Sequence, residues 1–228
     1  MRRRMSLPST PPVRPHGCFI TFEGTEGGGK STQIRLLAER LQRLGRAVLQ
    51  VREPGGTPLG EEIRHTLKHS PAGQSMTPEA ELLLMNASRA QLVRETIRPA
   101  LARGEVVVCD RFFDSSLAYQ GYGRGLPLEA VRGVIDFAVG ETRPNLTLLL
   151  WVPLEVSEAR RRSREASSPG GVGVRDRFEE SDRGFFQRVE QGYQAIEAAT
   201  PGRIRRIDAT QSIEQVQADV WEAVSRLL

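Results

Sequence analysis

Cysteine and lysine are scarce in this chain, two of each in 228 residues. Cys18 and Cys109 each sit in an apolar, strand-like run. A disulfide framework is therefore excluded, and both read as small buried hydrophobes of a reducing, cytoplasmic compartment. No apolar run approaches the roughly 18 residues of a membrane span, so a soluble protein with no membrane partner is expected. Charge of one sign is lacking too, once it is located along the chain. The formal +4 resides in the first 15 residues, where Arg2, Arg3, Arg4 and Arg14 meet no acid; the remaining basic residues match the 28 acidic ones. A bulk electrostatic claim on nucleic acid has no support. The same segment carries Pro8, Pro11, Pro12 and Pro15 and almost nothing to bury. Residues 1–16 thus read as a disordered basic tail without the apolar stretch of a secretory signal, and 17–228 as one domain.

What is present is alternation. Short β-type runs, "CFITFE", "AVLQVR", "EVVVCD", "LTLLLWV" and "RIRRID", are separated by helical patterns at about 31–44, 59–69, 78–101, 127–139, 154–165, 182–199 and 212–227. That order predicts an α/β fold of three layers, a five-stranded parallel sheet flanked by helices. The third and fourth runs are almost continuously apolar, as strands covered on both faces should be. Pro78 and Pro127 suit first-turn helix positions. The segment "EASSPGGVGV", 165–174, lies between arginine-rich flanks and reads as a mobile loop.

Between the first strand and the first helix lies "FEGTEGGGKST", residues 22–32. Gly24-x-x-x-x-Gly29-Lys30-Ser31 has the spacing of a phosphate-binding loop in the strand-to-helix context that such a loop needs. Glycines let backbone N–H groups turn inward around an anion, the helix N-terminus adds partial positive charge, and the lysine reaches the outer phosphates. Gly24, Thr25, Glu26, Gly27, Gly28, Gly29, Lys30, Ser31 and Thr32 are accordingly the candidate ATP-binding residues. Lys30 and Lys68 are the only lysines, and one of them falls at the motif position where a compact ammonium is wanted. The run "VVVCD" delivers Asp110 to the C-terminal edge of the sheet, where doubly wound sheets bind ligands. Ser31 and Asp110 are the candidate magnesium ligands.

Three classes use such a loop: small-molecule kinases, GTP switches and ATPases. Neither lysine follows an asparagine, so a guanine-reading Asn-Lys-x-Asp is absent and the switch falls away. Arg52 and Arg111 close apolar strands at the loop's edge of the sheet, where a second anion opposite the triphosphate would need donors. Two anion sites in line, bridged by magnesium and arginine, are sufficient machinery for phosphoryl transfer.

"FEGTEGGGKST", "REPGGT", "SRAQLV", "DRFFDSSLAYQGYGRG", "RPNLTLLL" and "DRFE", in this order from about residue 18 onward, make the chain resemble the bacterial thymidylate kinases. The resemblance implies a P-loop NTPase fold, transfer of the γ-phosphoryl of ATP to thymidine monophosphate, magnesium, and a homodimer. It implies that Glu26 accepts a hydrogen bond from the 3′-hydroxyl of the acceptor, that Arg52 and Arg111 hold its phosphate, and that Arg89 and Gln120 read the thymine edge beside Ser116. Tyr119 matches an aromatic disfavouring a 2′-hydroxyl. The family's stacking aromatic is replaced by Met85, which loosens the expected base choice. Helical spacing alone puts Arg89 on a stripe with Met85 and Leu92, needing either a structural acid or a ligand as partner. The arginine-rich stretch of about 160–178 corresponds to the family's lid, with "SSPGGVG" as an insertion. Arg160 and Arg164 share one helix face, and Arg160 and Arg177 are the first choices for an arginine finger. The alternatives are a kinase for another nucleoside or deoxynucleoside monophosphate, and a regulatory ATPase that merely hydrolyses ATP.

Overall fold

The computed structural model describes residues 17–73, 75–166, 178 and 181–228. The expected tail, most of the expected lid loop, and Arg175 and Arg177 lie outside the described residues, as does the side chain of Arg164. Among the described residues there are five strands, β1 (Cys18–Glu23), β2 (Val48–Arg52), β3 (Val106–Asp110), β4 (Leu146–Trp151) and β5 (Ile204–Asp208). They form one sheet in the order β2-β3-β1-β4-β5, every pair parallel. Register pairs Phe22 with Asp110, and Arg52 with the same Asp110, so three strand ends meet at one edge.

Burial on both faces explains the unbroken apolar runs. Cys18, Ile20 and Phe22 of β1 point to the side where α1 (Lys30–Arg43) and α9 (Ile213–Ser225) pack Leu37, Leu41, Val220 and Val224. Phe19 points to the other side with Val107, Cys109 and Leu149, beneath α3 (Pro78–Leu92), α6 (Leu128–Val139) and α8 (Arg183–Ala199). By the same period of two, Glu23 is carried into this second layer. The helices α2 (Pro58–Lys68) and α7 (Leu154–Ala166) complete the crossovers. Thr57 and Thr77 cap α2 and α3, accepting from Gly60 N and Ala80 N, with Pro58 and Pro78 opening each helix.

Three expectations need correction. The helix expected over 78–101 is interrupted: α3 passes through a π-helical turn, Val93–Ile97, into α4 (Arg98–Ala102). Pro99 has no N–H to give, which removes one rung of the helical ladder at this point. Pro127 stands just before the first turn of α6, not within it. Residues 113–123, outside every expected helix, are helical: α5 (Phe113–Ser116) runs into the π-helical segment Leu117–Gly123. Buried Asp114 anchors that segment through a two-pronged pair with Arg203, at 2.7 and 2.8 Å, and through Thr147. At its far end a Cβ on Gly123 would come within 2.6 Å of the Phe185 ring of α8, so only glycine permits this packing.

Candidate active site

The loop after β1 approaches β4 so closely that a Cβ on Gly24, at φ 123°, would lie 2.3 Å from Leu150 O. Lys30, the first residue of α1, is buried and folds back to donate to Gly24 O (3.1 Å) and Thr25 O (2.9 Å). From α7, Ser157 Oγ donates to Glu26 O (2.6 Å) and Arg160 Nη1 to Gly27 O (3.2 Å). The loop's carbonyls are thereby drawn outward, which leaves its N–H groups and the N-terminus of α1 available to an anion.

A cavity of about 470 Å³ begins at this loop. Its donor end is formed by Gly27, Gly28, Gly29, Lys30, Ser31 and Thr32, with Arg160 alongside. Its other end contains Glu26, Arg52, Met85, Arg89, Arg111, Ser116, Tyr119 and Gln120, and Asp110 stands near Lys30, so the residues expected from sequence line one cavity. Gly24 and Thr25 stand behind the wall as acceptors for Lys30.

Arg111 joins the two ends. Its backbone takes φ 66°, a left-handed conformation that costs a non-glycine residue of order 1–3 kcal/mol and persists only where the surroundings over-determine it. They do: its N–H donates to Phe22 O (2.9 Å), Nη2 to Glu26 Oε1 (2.8 Å) and Tyr119 OH (3.2 Å), and Nη1 to Ser115 Oγ (3.1 Å). Against burial, which favours its neutral form, the charges of Arg111, Lys30 and Lys68 hold the Glu26 carboxyl well below the usual carboxylate range. Glu26 is thus a fixed anion among cations.

The sequence reading missed a second tier of residues. Glu23 ends β1 as Asp110 ends β3, and the same signal, an acid closing an apolar strand, marks both. Glu23 Oε1 accepts from Phe112 N (2.7 Å), and Oε2 from Ser115 Oγ and Tyr193 OH (3.0 Å). Burial, with the charge of Asp114 next, pushes its pKa up to about 7. Glu53, the second residue of "REPGGT", lines the cavity and binds the buried Arg89 (Oε2 to Nε, 2.8 Å); burial raises its pKa to about 7 against the pull of that arginine. Arg89 also donates to Asn86 Oδ1 (2.7 Å) and Phe112 O (3.2 Å). Of the two partners left open for this arginine, the structural acid is present and the cavity adjoins it. Arg64 and Lys68, one turn apart on α2, add positive charge beside Arg52, which is itself exposed and paired with Glu61 at 2.9 Å.

A family model described as thymidylate kinase matches residues 22–220. A thymidylate kinase of Synechococcus sp. (strain JA-3-3Ab) is 52% identical over 211 residues, covering 92% of this chain and 97% of that protein. One from Ectopseudomonas mendocina (strain ymp) is 48% identical over 212 residues, covering 93% and 97%. Among solved structures, thymidylate kinase from Ehrlichia chaffeensis superimposes with a TM-score of 0.72 at 31% identity, over 92% of this chain and 99% of that one. Fold, phosphate loop and likeness over nearly the full length agree, and the chain belongs to the thymidylate kinase family.

Proposed function

We propose that the chain transfers the γ-phosphoryl group of ATP to thymidine monophosphate, giving thymidine diphosphate and ADP. The observation that carries this reading is the single cavity joining the phosphate loop to a second cationic end formed by Arg52, Arg64 and Arg111. ATP phosphates on the loop face an acceptor phosphate on these arginines. An oxygen of the acceptor attacks the γ-phosphorus as the bond to ADP breaks. A phosphate monoester has a second pKa of about 6, so the attacking oxygen is already ionised near neutral pH and no general base is required. Lys30 and Arg160 stand on the donor side, Arg111 between, and Glu26 orients a sugar hydroxyl while repelling misplaced phosphate. Arg89 and Gln120 meet the base edge, Ser116 and Tyr119 close around the sugar and base, and Met85 offers an apolar but not flat contact.

The donor set also fits magnesium. Asp110 Oδ1 is buried and has no hydrogen-bond partner among the described residues, and Ser31 lines the same cavity. Both are hard oxygen donors of the kind this ion prefers. Bound there, magnesium would neutralise phosphate charge.

Coupled ADP release with Mg-ATP tests the reading, with thymidine, deoxyuridine, uridine and cytidine monophosphates compared against no acceptor. ADP should form only with acceptor, fastest with thymidine monophosphate. Equal release without acceptor would establish an ATPase instead.

A homodimer is part of the same proposal. Leu83 and Ala87 of α3 and Ala130, Gly133 and Phe137 of α6 are exposed on two helices packed side by side, and Phe137 is 84% exposed. Covering this face with a second copy would bury a large aromatic, the type of residue that dominates interface energetics. Phe137→Glu should raise the dimer Kd at least about thirtyfold in sedimentation equilibrium. A wild-type chain that sediments as a monomer at tens of micromolar would remove the dimer.

A further inference from the structure

Glu81 lies in the first turn of α3, fully buried, at the base-proximal end of the cavity but not in its wall. It accepts from Gln120 Nε2 at 2.6 Å and from Arg124 at 3.3 Å (Nε) and 3.1 Å (Nη2). Arg124 in turn lies over the Phe185 ring at 4.4 Å. We infer that Glu81 is a specificity-determining positioning residue: it fixes which atom of the Gln120 amide stands where against the base, and so selects a pyrimidine carrying an N3–H. The inference rests on the proposed thymidine monophosphate kinase reading.

The two ends of a glutamine amide are nearly the same size and opposite in chemistry, so its orientation is decided by partners. A carboxylate paired with arginine can only accept, and a guanidinium can only donate. Facing that pair, Gln120 has to present Nε2 to Glu81. Its Oε1, which meets no donor among the described residues, is then held at the cavity. A fixed acceptor there matches the N3–H of thymine or uracil. Cytosine offers a lone pair at N3 and an amino group at C4, the reverse pattern, and would set acceptor against acceptor. Arg89, donors only, favours a carbonyl over an amino group in the same way.

Deoxyuridine and deoxycytidine monophosphates isolate this effect, since both lack the methyl group and differ only in that edge. In the wild type, kcat/KM for deoxyuridine monophosphate should exceed that for deoxycytidine monophosphate. Glu81→Gln, whose amide both donates and accepts, releases the choice of orientation, and the ratio should fall roughly ten- to a hundredfold. Glu81→Gln/Arg124→Met, which removes both charges of the pair together, should show the same fall if the single variant folds poorly. Arg124→Lys keeps a donor-only cation beside the carboxylate and should keep the ratio. A purely structural Glu81 would lower both substrates alike, so an unchanged ratio in the Glu81 variants overturns the inference. So does a wild type indifferent between the two nucleotides. A wild type with no acceptor-dependent ADP release at all overturns the kinase reading instead.

Discussion

Lys30→Ala should lower phosphoryl transfer to every acceptor by about a thousandfold, the scale of losing a preorganised donor at the transferring group. The ammonium is buried in the loop it serves, bonded to Gly24 O and Thr25 O. Burial lowers its pKa and the Arg111 charge adds to this, while Glu26, Asp110 and Glu23 favour the cation. Stability should change far less than activity. Two hydrogen bonds are lost, at about 1 kcal/mol each, but a buried cation is relieved and alanine is the better helix former at the start of α1. Lys30→Arg should not rescue, because a planar fork cannot replace a point charge inside a closed loop. Steady-state kcat set beside thermal melting separates the two effects. Near-normal turnover in a folded Lys30→Ala protein would remove the mechanism.

The parts of this fold legible in the sequence are those whose order is local. Parallel strands covered on both faces read as apolar runs, and the loop announces itself because a strand, a glycine-rich turn and a helix are consecutive. Residues 113–123 were not legible for the opposite reason. "FDSSLAYQGYG" has two glycines and no amphipathic period, and it is helical because Asp114 meets Arg203, 89 positions away, and because α8 packs on Gly123. The site divides the same way. Cations facing an anionic ligand could be inferred from where strands end. The acids that set those groups were missed, since their partners are distant: Glu23 to Tyr193 spans 170 positions, Glu53 to Arg89 36, and Glu81 to Gln120 39. A search for donors to a phosphate passes over the acceptors that orient the donors.

Arg89 is where that omission matters most. Arg89→Ala should cost about 3–5 kcal/mol of stability near pH 8, the scale of breaking a buried ion pair by removing one partner, and should abolish useful acceptor binding. The loss should depend on pH, with a sign fixed by Glu53. Its carboxyl is pushed up to about 7 by burial, with Arg89 opposing, from an ordinary 4.5. Between those values the folded wild type holds a proton that the unfolded chain releases, so this group's contribution to stability falls as pH rises from 4.5 to 7. Without Arg89 the folded pKa climbs further, and the decline continues above 7 where the wild type has levelled off. At pH 5 both folded proteins carry a neutral Glu53, and the variant loses packing over Phe112 and hydrogen bonds to Asn86, Phe112 and the uncharged Glu53, but no ion pair. Denaturant unfolding at pH 5 and pH 8 should therefore give a penalty larger at pH 8 by about 1–2 kcal/mol, one pKa unit being 1.36 kcal/mol. Adding Glu53→Gln should remove that difference, because no buried carboxyl is left to titrate against the missing guanidinium. Equal penalties at the two pH values would mean that Arg89 contributes packing and hydrogen bonds to this site, and that its charge is balanced elsewhere.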